Sequence, residues 1–399
     1  MSSNPATASS TAEVGARATG SIADDATLAR QIAAYLASQV GHPVEVGTVR
    51  RFAVGFSWLT YAVPVRGLDL GDGLGPGPRE LILRLGPDYG LFAPYSAEPE
   101  LLALRSLEGS AVPVPRAYWG SDDPAVFGAP FLFCEKAEGE AVVPWVSATE
   151  PGLDESYRKR LAEQFIDALG ALHRVPWRER PIARLAHGTD ASGAAAEPIS
   201  ERNAARLNVE HWQAQIARWA MRPYPLAEWG IRWLKRNCPV APRVAIVHGD
   251  YRTGNFLEQG GRITAILDWE LVHLVDPHED LGWASLPMYR GGTQLISRLA
   301  EPEWFYRRYG EQAGYAVSMD SVRYYQAFAL LKLAATHMAA ARCFEEGRFN
   351  DMRMPAMGSQ IATCLKQMEK TIGAAEAQAP AAGTQRASSS TGTQPASQR

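Results

Sequence analysis

Val247-His248-Gly249-Asp250-Tyr251-Arg252-Thr253-Gly254-Asn255, followed by Ala265-Ile266-Leu267-Asp268-Trp269-Glu270, decides how the rest of the chain is read. An acid comes first, then an amide with four residues between them, then a second acid at the end of an apolar run. That is the order of groups a phosphoryl-transfer site needs. When a phosphoryl group passes to a hydroxyl, a carboxylate takes the proton and orients the attacking oxygen, a role that falls to Asp250. The neutral amide oxygen of Asn255 suits a hard cation such as Mg2+, and the carboxylate of Asp268 can bridge that cation to phosphates. Each of the three alone reads equally well as a polar turn residue. Together, at this spacing, they describe a reaction.

The neighbours are less specific. Arg252 stands two residues after Asp250, where a cation can stabilise charge on the transferring group, so it joins Asp250 as a catalytic candidate. A solvated surface Arg is the competing reading. His248 reads as a loop-holding hydrogen-bonding residue rather than a proton shuttle. Glu270 reads either as a support of the site or as a surface acid. His273, Asp276, His278, Glu279 and Asp280 resemble a metal cluster, but histidines five apart share no helix face. Asp276-Pro277 reads instead as an N-cap and first helical residue, with Asp276 and Asp280 bracing the catalytic loop. No Gly-x-Ser-x-Gly elbow supports a serine hydrolase.

At 399 residues the chain is comfortable for two lobes, and 46% hydrophobic with 21% charged residues is an ordinary globular composition. A net charge of -3 gives no electrostatic reason for nucleic acid or an anionic membrane as partner, and no protein partner is evident. The reading finds no apolar run able to span a bilayer and no secretory layout at the N-terminus. Cys134, Cys238, Cys343 and Cys364 are widely spaced, which implies free thiols in a reducing, cytoplasmic setting.

Residues 1–24 and 373–399 are rich in small and polar residues and are expected to be disordered tails. Between them, 25–138 reads as a nucleotide-binding lobe and 139–372 as a helical lobe with the catalytic and acceptor-binding groups. The first has a helix capped by Asp25 or Thr27, strands at 46–53, 60–65, 80–85, 116–119 and 131–136, and one helix at 95–107. Gly71 to Pro78 is a hairpin loop rather than a nucleotide motif, because it contains prolines and leads into a strand. The second lobe has helices at 157–173, 208–218, 226–235, 304–308, 322–346 and 357–371, interrupted by the catalytic segment. The fold class is α+β, a small antiparallel sheet joined to a mostly helical lobe.

Val247-His248-Gly249-Asp250-Tyr251-Arg252, Leu267-Asp268-Trp269-Glu270 and Asp276-Pro277 with Asp280-Leu281 resemble the aminoglycoside phosphotransferase and choline kinase superfamily. The likeness is greatest to the kinase-like part of acyl-CoA dehydrogenase fusion proteins and spans roughly residues 30–370. The resemblance implies a two-lobed protein-kinase-like fold with ATP between the lobes, Asp250 as base, and Asn255 and Asp268 as Mg2+ ligands. It implies that Gly55, Phe56 and Ser57 belong to a phosphate-covering hairpin whose backbone N–H groups approach phosphate. It places Arg84 as the phosphate-binding cation and Glu100 as its helix partner. It makes Phe133, Cys134, Glu135 and Lys136 the hinge whose backbone reads adenine. Trp58, where many relatives have Asn, and Val275, where Gly is usual, are departures.

The acceptor is a small molecule. Arg222, Arg232, Lys235, Arg236, Arg290, Arg298, Arg307 and Arg308, with Trp212, Trp219, Trp233, Trp283, Tyr289 and Trp304 in or near their segments, do not suggest a wall made for a polycation. The expected reaction is ATP- and Mg2+-dependent transfer to a hydroxyl, with a hydroxyacyl compound as one acceptor class. The alternatives are an aminoglycoside or amino-alcohol phosphotransferase and, from another class, a catalytically inactive nucleotide-binding scaffold.

Overall fold

The computed structural model describes residues 24–52, 57–71, 75–141, 154–187, 197–348 and 351–378. The small lobe opens with α1 (Asp25–Val40). Its cap is Asp24, one residue before the expected position, whose carboxylate accepts the Thr27 N–H at 2.8 Å. The remainder of the expected N-terminal tail lies outside the described residues. The expected strand at 46–53 is two short ones, β1 (Glu45–Val46) and β2 (Arg50–Arg51), and part of that stretch lies outside the described residues. Next come β3 (Leu59–Arg66), β4 (Arg79–Leu85), α2 (Glu98–Leu107), β5 (Ala117–Ser121) and β6 (Phe131–Glu135). The order β1-β3-β4-β6-β5, with β2 beside β3, makes an antiparallel sheet, and β3 and β4 form the hairpin expected around Gly71–Pro78. Alternate residues Tyr61, Val63, Val65, Leu81, Leu83 and Leu85 face α1 and build the small-lobe core.

α2 begins later than its pattern suggested. Pro94 and the turns before it leave Tyr95 outside the helix, where its ring packs edge-on against Trp58 at 5.4 Å.

The crossing between lobes is short. β7 (Glu140–Ala141) pairs with β9 (Phe256–Gln259), which pairs in turn with β10 (Arg262–Ile266), so the crossing chain is tied to the strand leaving the catalytic loop. Gly139 makes this possible with φ +114°, since a Cβ there would stand 2.7 Å from the Glu258 carbonyl oxygen.

The large lobe is mainly helical: α3 (Glu155–Leu172), α4 (Ala204–Trp219), α5 (Pro225–Arg236), α6 (His278–Ala284), α7 (Pro302–Ala313), α8 (Met319–Glu345), α9 (Arg353–Gly358) and α10 (Ile361–Gln378). β8 (Ala245–Val247) and β11 (His273–Val275) pair beside the catalytic loop, and Val275 is a buried β-residue in this ladder. α10 continues past Gly373, where the tail was expected to begin, because Ile361, Cys364, Leu365, Met368 and Ile372 lie on one helical face buried in the same core as α5 and α8. By length and composition α8 could cross a bilayer, contrary to the sequence expectation, but 78% of its most apolar stretch is buried inside the protein. It is the central helix of the lobe. The four cysteines are unpaired.

Candidate active site

β8 ends at Val247 and delivers the loop that carries Asp250. Gly249 turns it with φ +83°, and a Cβ there would meet the Leu271 carbonyl oxygen at 2.5 Å. Asp280, on α6, accepts the N–H groups of His248 at 2.8 Å and Gly249 at 2.9 Å, so it braces the loop as expected. Asp276 does not. Its carboxylate accepts from the N–H and ring of His278, and α6 begins at His278 with Pro277, rather than Asp276, at the N-cap position. His248 donates from Nε2 to the Leu267 carbonyl at 2.9 Å and accepts the Asp250 N–H at Nδ1. Both ring nitrogens are occupied, and the residue ties the loop to the strand that leads to Asp268.

The three residues that opened the reading converge. Asn255 gives both amide hydrogens to Asp250, one to the backbone carbonyl at 2.9 Å and one to Oδ2 at 2.7 Å. Its own Oδ1 is thereby turned outward as a hard oxygen. The Leu267 N–H bonds the Asn255 carbonyl at 2.8 Å, which holds Asp268 next to the loop. Asp268 has φ 66° and ψ 55°, a left-handed conformation rare for a residue with a side chain and often found where function requires it.

Arg84 on β4 reaches this group from the small lobe. It pairs with Glu100 of α2 at 2.5 Å and lies 3.3 Å from Asp268 and 3.8 Å from Glu270. Burial works against its charge, yet Glu100, Asp268 and Glu270 raise its pKa overall. Burial, and then Asp268, pushes the carboxyls of Glu100 and Glu270 upward against the opposing effect of Arg84. Three acids thus share one guanidinium. The carboxylate of Asp268 and the amide oxygen of Asn255 are hard oxygen donors, a set that fits a divalent cation such as Mg2+ held by few protein ligands together with phosphates. Among the described residues no His, Cys, Asp or Glu cluster of three or more forms a metal site of another kind.

Glu270 is a largely enclosed residue of the site, its side chain 12% exposed, rather than a surface acid. It accepts the Ser57 hydroxyl at 2.5 Å, joining the base of the small-lobe hairpin to the segment after Asp268. Gly55 and Phe56 lie outside the described residues. Trp58 is buried below the hairpin, with the Arg84 guanidinium 5.4 Å from its ring centre, so this departure supports the cation.

Two expectations change. The hinge was expected to run from Phe133 to Lys136. Phe133 and Cys134 lie inside β6, laddered to β4 on one side and β5 on the other, and the Glu135 N–H donates to the Arg116 carbonyl. Their amides are committed to the sheet, so only the chain from Lys136 onward leaves the ladder toward the cleft. Arg252 was expected either to stabilise charge on the transferring group or to be a solvated surface residue. Its Nε donates to Asp250 Oδ1 at 2.9 Å, and its guanidinium lies 5.3 Å from the ring centre of Tyr289, so here it holds the Asp250 side chain.

Trp283 was named in the sequence only among the aromatic residues of the acceptor lobe, and Lys332 was not singled out. The Trp283 Nε1–H donates to Asp250 Oδ1 at 2.6 Å, and Lys332, buried on α8, donates to the Gly249 carbonyl at 2.7 Å and to Glu279 at 2.9 Å. A signal existed for each. Trp283 follows Asp280 at i+3 on one helical face, and Lys332 is the only Lys or Arg in the long apolar stretch between Arg323 and Arg342. Of the basic residues named for the acceptor lobe, Arg308 pairs with Asp167, Lys235 lies near Glu210 and Arg290 bonds the Ser285 carbonyl.

A cavity of about 350 Å3 lies beside these groups, its polar lining Asn208, His211, Glu270, His273 and Lys332. A second, of about 400 Å3, opens on the small lobe against Arg105, Arg116 and Trp119, away from the catalytic loop.

Comparison with known proteins bears on the fold and the family. Mouse acyl-CoA dehydrogenase family member 10 is 28% identical over 271 residues, covering 64% of this chain and 24% of that protein. Human acyl-CoA dehydrogenase family member 11 is 24% identical over 214 residues, covering 53% of this chain and 25% of that protein. The chain therefore spans about a quarter of the length of these relatives. Among solved structures, a candidate aminoglycoside phosphotransferase from Ralstonia eutropha superposes with a TM-score of 0.65 at 19% identity, over 86% of this chain and 98% of that one. A thermostable mutant of aminoglycoside phosphotransferase APH(4)-Ia, in ternary complex with ADP and hygromycin B, gives 0.52 at 15% identity, over 88% and 99%. These structures share the two-lobed kinase-like fold. Residues 48–317 match the model of the phosphotransferase enzyme family, and the chain belongs to that family.

Proposed function

We propose that this protein is a small-molecule kinase that transfers the γ-phosphoryl group of ATP to a hydroxyl of a small acceptor, with Mg2+ as cofactor, in the cytoplasm. The carrying observation is the assembled set across the cleft: Asp250 bonded to Asn255, with Asp268 against the buried Arg84–Glu100 pair. In this reading Asp250 receives the acceptor proton, and Arg84 orients and neutralises phosphate oxygens. Asn255 and Asp268 would hold the cation, which would supply positive charge to offset that of the phosphates. Ser57 begins the described part of the covering hairpin, and the chain from Lys136 faces the base.

The acceptor reading rests on the cavity lined by β11, Glu270 and Lys332. Its one carboxylate is Glu270, already engaged by Ser57, and its other polar lining is amide, imidazole and ammonium. An uncharged or anionic acceptor fits such a wall better than a polycation. A hydroxyacyl compound is the favoured class. Purified protein incubated with ATP, Mg2+ and a panel of hydroxyacyl compounds, amino alcohols and aminoglycosides tests this. Selective phosphorylation of aminoglycosides defeats the acceptor assignment. Asp250→Asn abolishes transfer while ATP still binds. Turnover surviving that change removes Asp250 as the base.

A further inference from the structure

We infer that Trp283 is the positioning residue of the transfer step: with Arg252 it fills Oδ1 of Asp250, so that the acceptor hydroxyl is received at Oδ2. This rests on the reading of Asp250 as the base. A carboxylate oxygen offers about two acceptor positions. At Oδ1 both are taken, by the Trp283 Nε1–H at 2.6 Å and the Arg252 Nε–H at 2.9 Å. At Oδ2 the Asn255 amide at 2.7 Å takes one. One position at Oδ2 remains. The donors also fix the carboxylate plane, since they come from three separate side chains.

Trp283 is itself held. It is 4% exposed, the Lys332 ammonium lies 4.9 Å from its ring centre, and Tyr289 lies 5.8 Å away. It shares α6 with Asp280, which grips the N–H groups of His248 and Gly249. One short helix therefore sets the loop backbone through Asp280 and the base side chain through Trp283, one turn apart. A tryptophan needed only for packing has no reason to aim its N–H at the reacting carboxylate.

The step balances as follows. The acceptor O–H bond breaks and its proton passes to Asp250 Oδ2. The acceptor oxygen bonds to the γ-phosphorus. The bond from that phosphorus to the bridging oxygen breaks, and its electron pair leaves on ADP. The proton on Oδ2 then passes to solvent.

Two measurements on the full chain test this without knowledge of the acceptor. The first is the indole N–H spectrum of 15N-tryptophan-labelled protein. The resonance that disappears in Trp283→Phe is expected downfield of ordinary indole signals, and it moves upfield in Asp250→Ala. The second is ADP release from ATP with water as acceptor. In Trp283→Phe, which keeps an aromatic face over Lys332, kcat falls roughly ten- to a hundredfold, the range for a lost hydrogen bond to a charged group, while KM for ATP is unchanged. An indole resonance indifferent to Asp250→Ala, or an unchanged kcat in Trp283→Phe, overturns the inference. Full activity in Trp283→Phe with none in Asp250→Asn removes this inference alone. Full activity in both removes the assignment of Asp250 as well.

Discussion

The ammonium of Lys332, midway along α8, donates to the carbonyl oxygen of Gly249 at 2.7 Å, one residue before the candidate base. The same ammonium pairs with Glu279 at 2.9 Å, and both side chains are almost fully buried, at 1% and 0% exposure. Glu279 also accepts from Asn208 and lies 2.9 Å from His273. Burial alone would raise the Glu279 carboxyl, but Lys332 and His273 hold it well below the usual carboxylate range. The central helix of the large lobe is thereby fastened to the catalytic loop.

Removing that fastener leaves a buried carboxylate without its ammonium. Lys332→Met is expected to destabilise the protein by about 3–5 kcal/mol, the cost of breaking a buried pair from one side. Urea unfolding measures it. Lys332→Met with Glu279→Gln recovers part of the loss, because no uncompensated charge remains. Equal stability of the single and double variants contradicts this account.

Arg84 and Glu100 form the second buried pair, and its failure should show in nucleotide use. Arg84→Ala is expected to lower kcat/KM for ATP roughly a hundredfold, as expected for a lost charge-assisted contact to phosphate. Arg84→Lys recovers only part, since an ammonium lacks the forked guanidinium geometry. Glu100→Ala has a smaller effect, and the double variant is scarcely worse than Arg84→Ala, because Glu100 acts through Arg84. Steady-state kinetics of the four proteins check the set. Additive losses contradict the coupling.

Stability should fall in mild acid through His337. This residue is buried on α8, close to Cys364 of α10, and burial pushes its pKa from 6.5 to about 4. A folded-state pKa below the unfolded one means that the contribution is complete above pH 6.5 and is lost as the pH falls toward 4. The loss is about 2 kcal/mol at pH 5. Denaturation midpoints from pH 7.5 to 4.5 should show this decline, and His337→Phe should reduce it without abolishing it, because burial lowers the pKa of His211 to about 4 as well. An identical pH profile for that variant places the acid sensitivity elsewhere.

Much of the fold was legible because its periodicities are clean. Helices α3, α4, α5 and α8 lie within a few residues of their apolar patterns, and the β3–β4 hairpin follows its Gly- and Pro-rich turn. The misses have local causes. Asp24 captured the cap from its neighbours, and α10 ran past Gly373 because Ile372 found a buried place in the helical core. Glu270 could not be assigned by sequence, since a surface acid and an enclosed acid bonded to Ser57 look alike until a residue 213 positions away is brought to it.

What the sequence by itself determined is the order and spacing of Asp250, Asn255 and Asp268, a candidate base and two candidate oxygen ligands on one loop and one strand end, and these are local properties of the chain. Tertiary structure alone decided which nitrogen reaches which oxygen. It turned Arg252 from phosphate toward Asp250, set the Trp283 N–H on Asp250 Oδ1, stacked Trp58 on Arg84, and drew Lys332 beneath Gly249. Contacts of that kind depend on how buried charges and rings find partners once helices pack, and no local pattern in the chain specifies them.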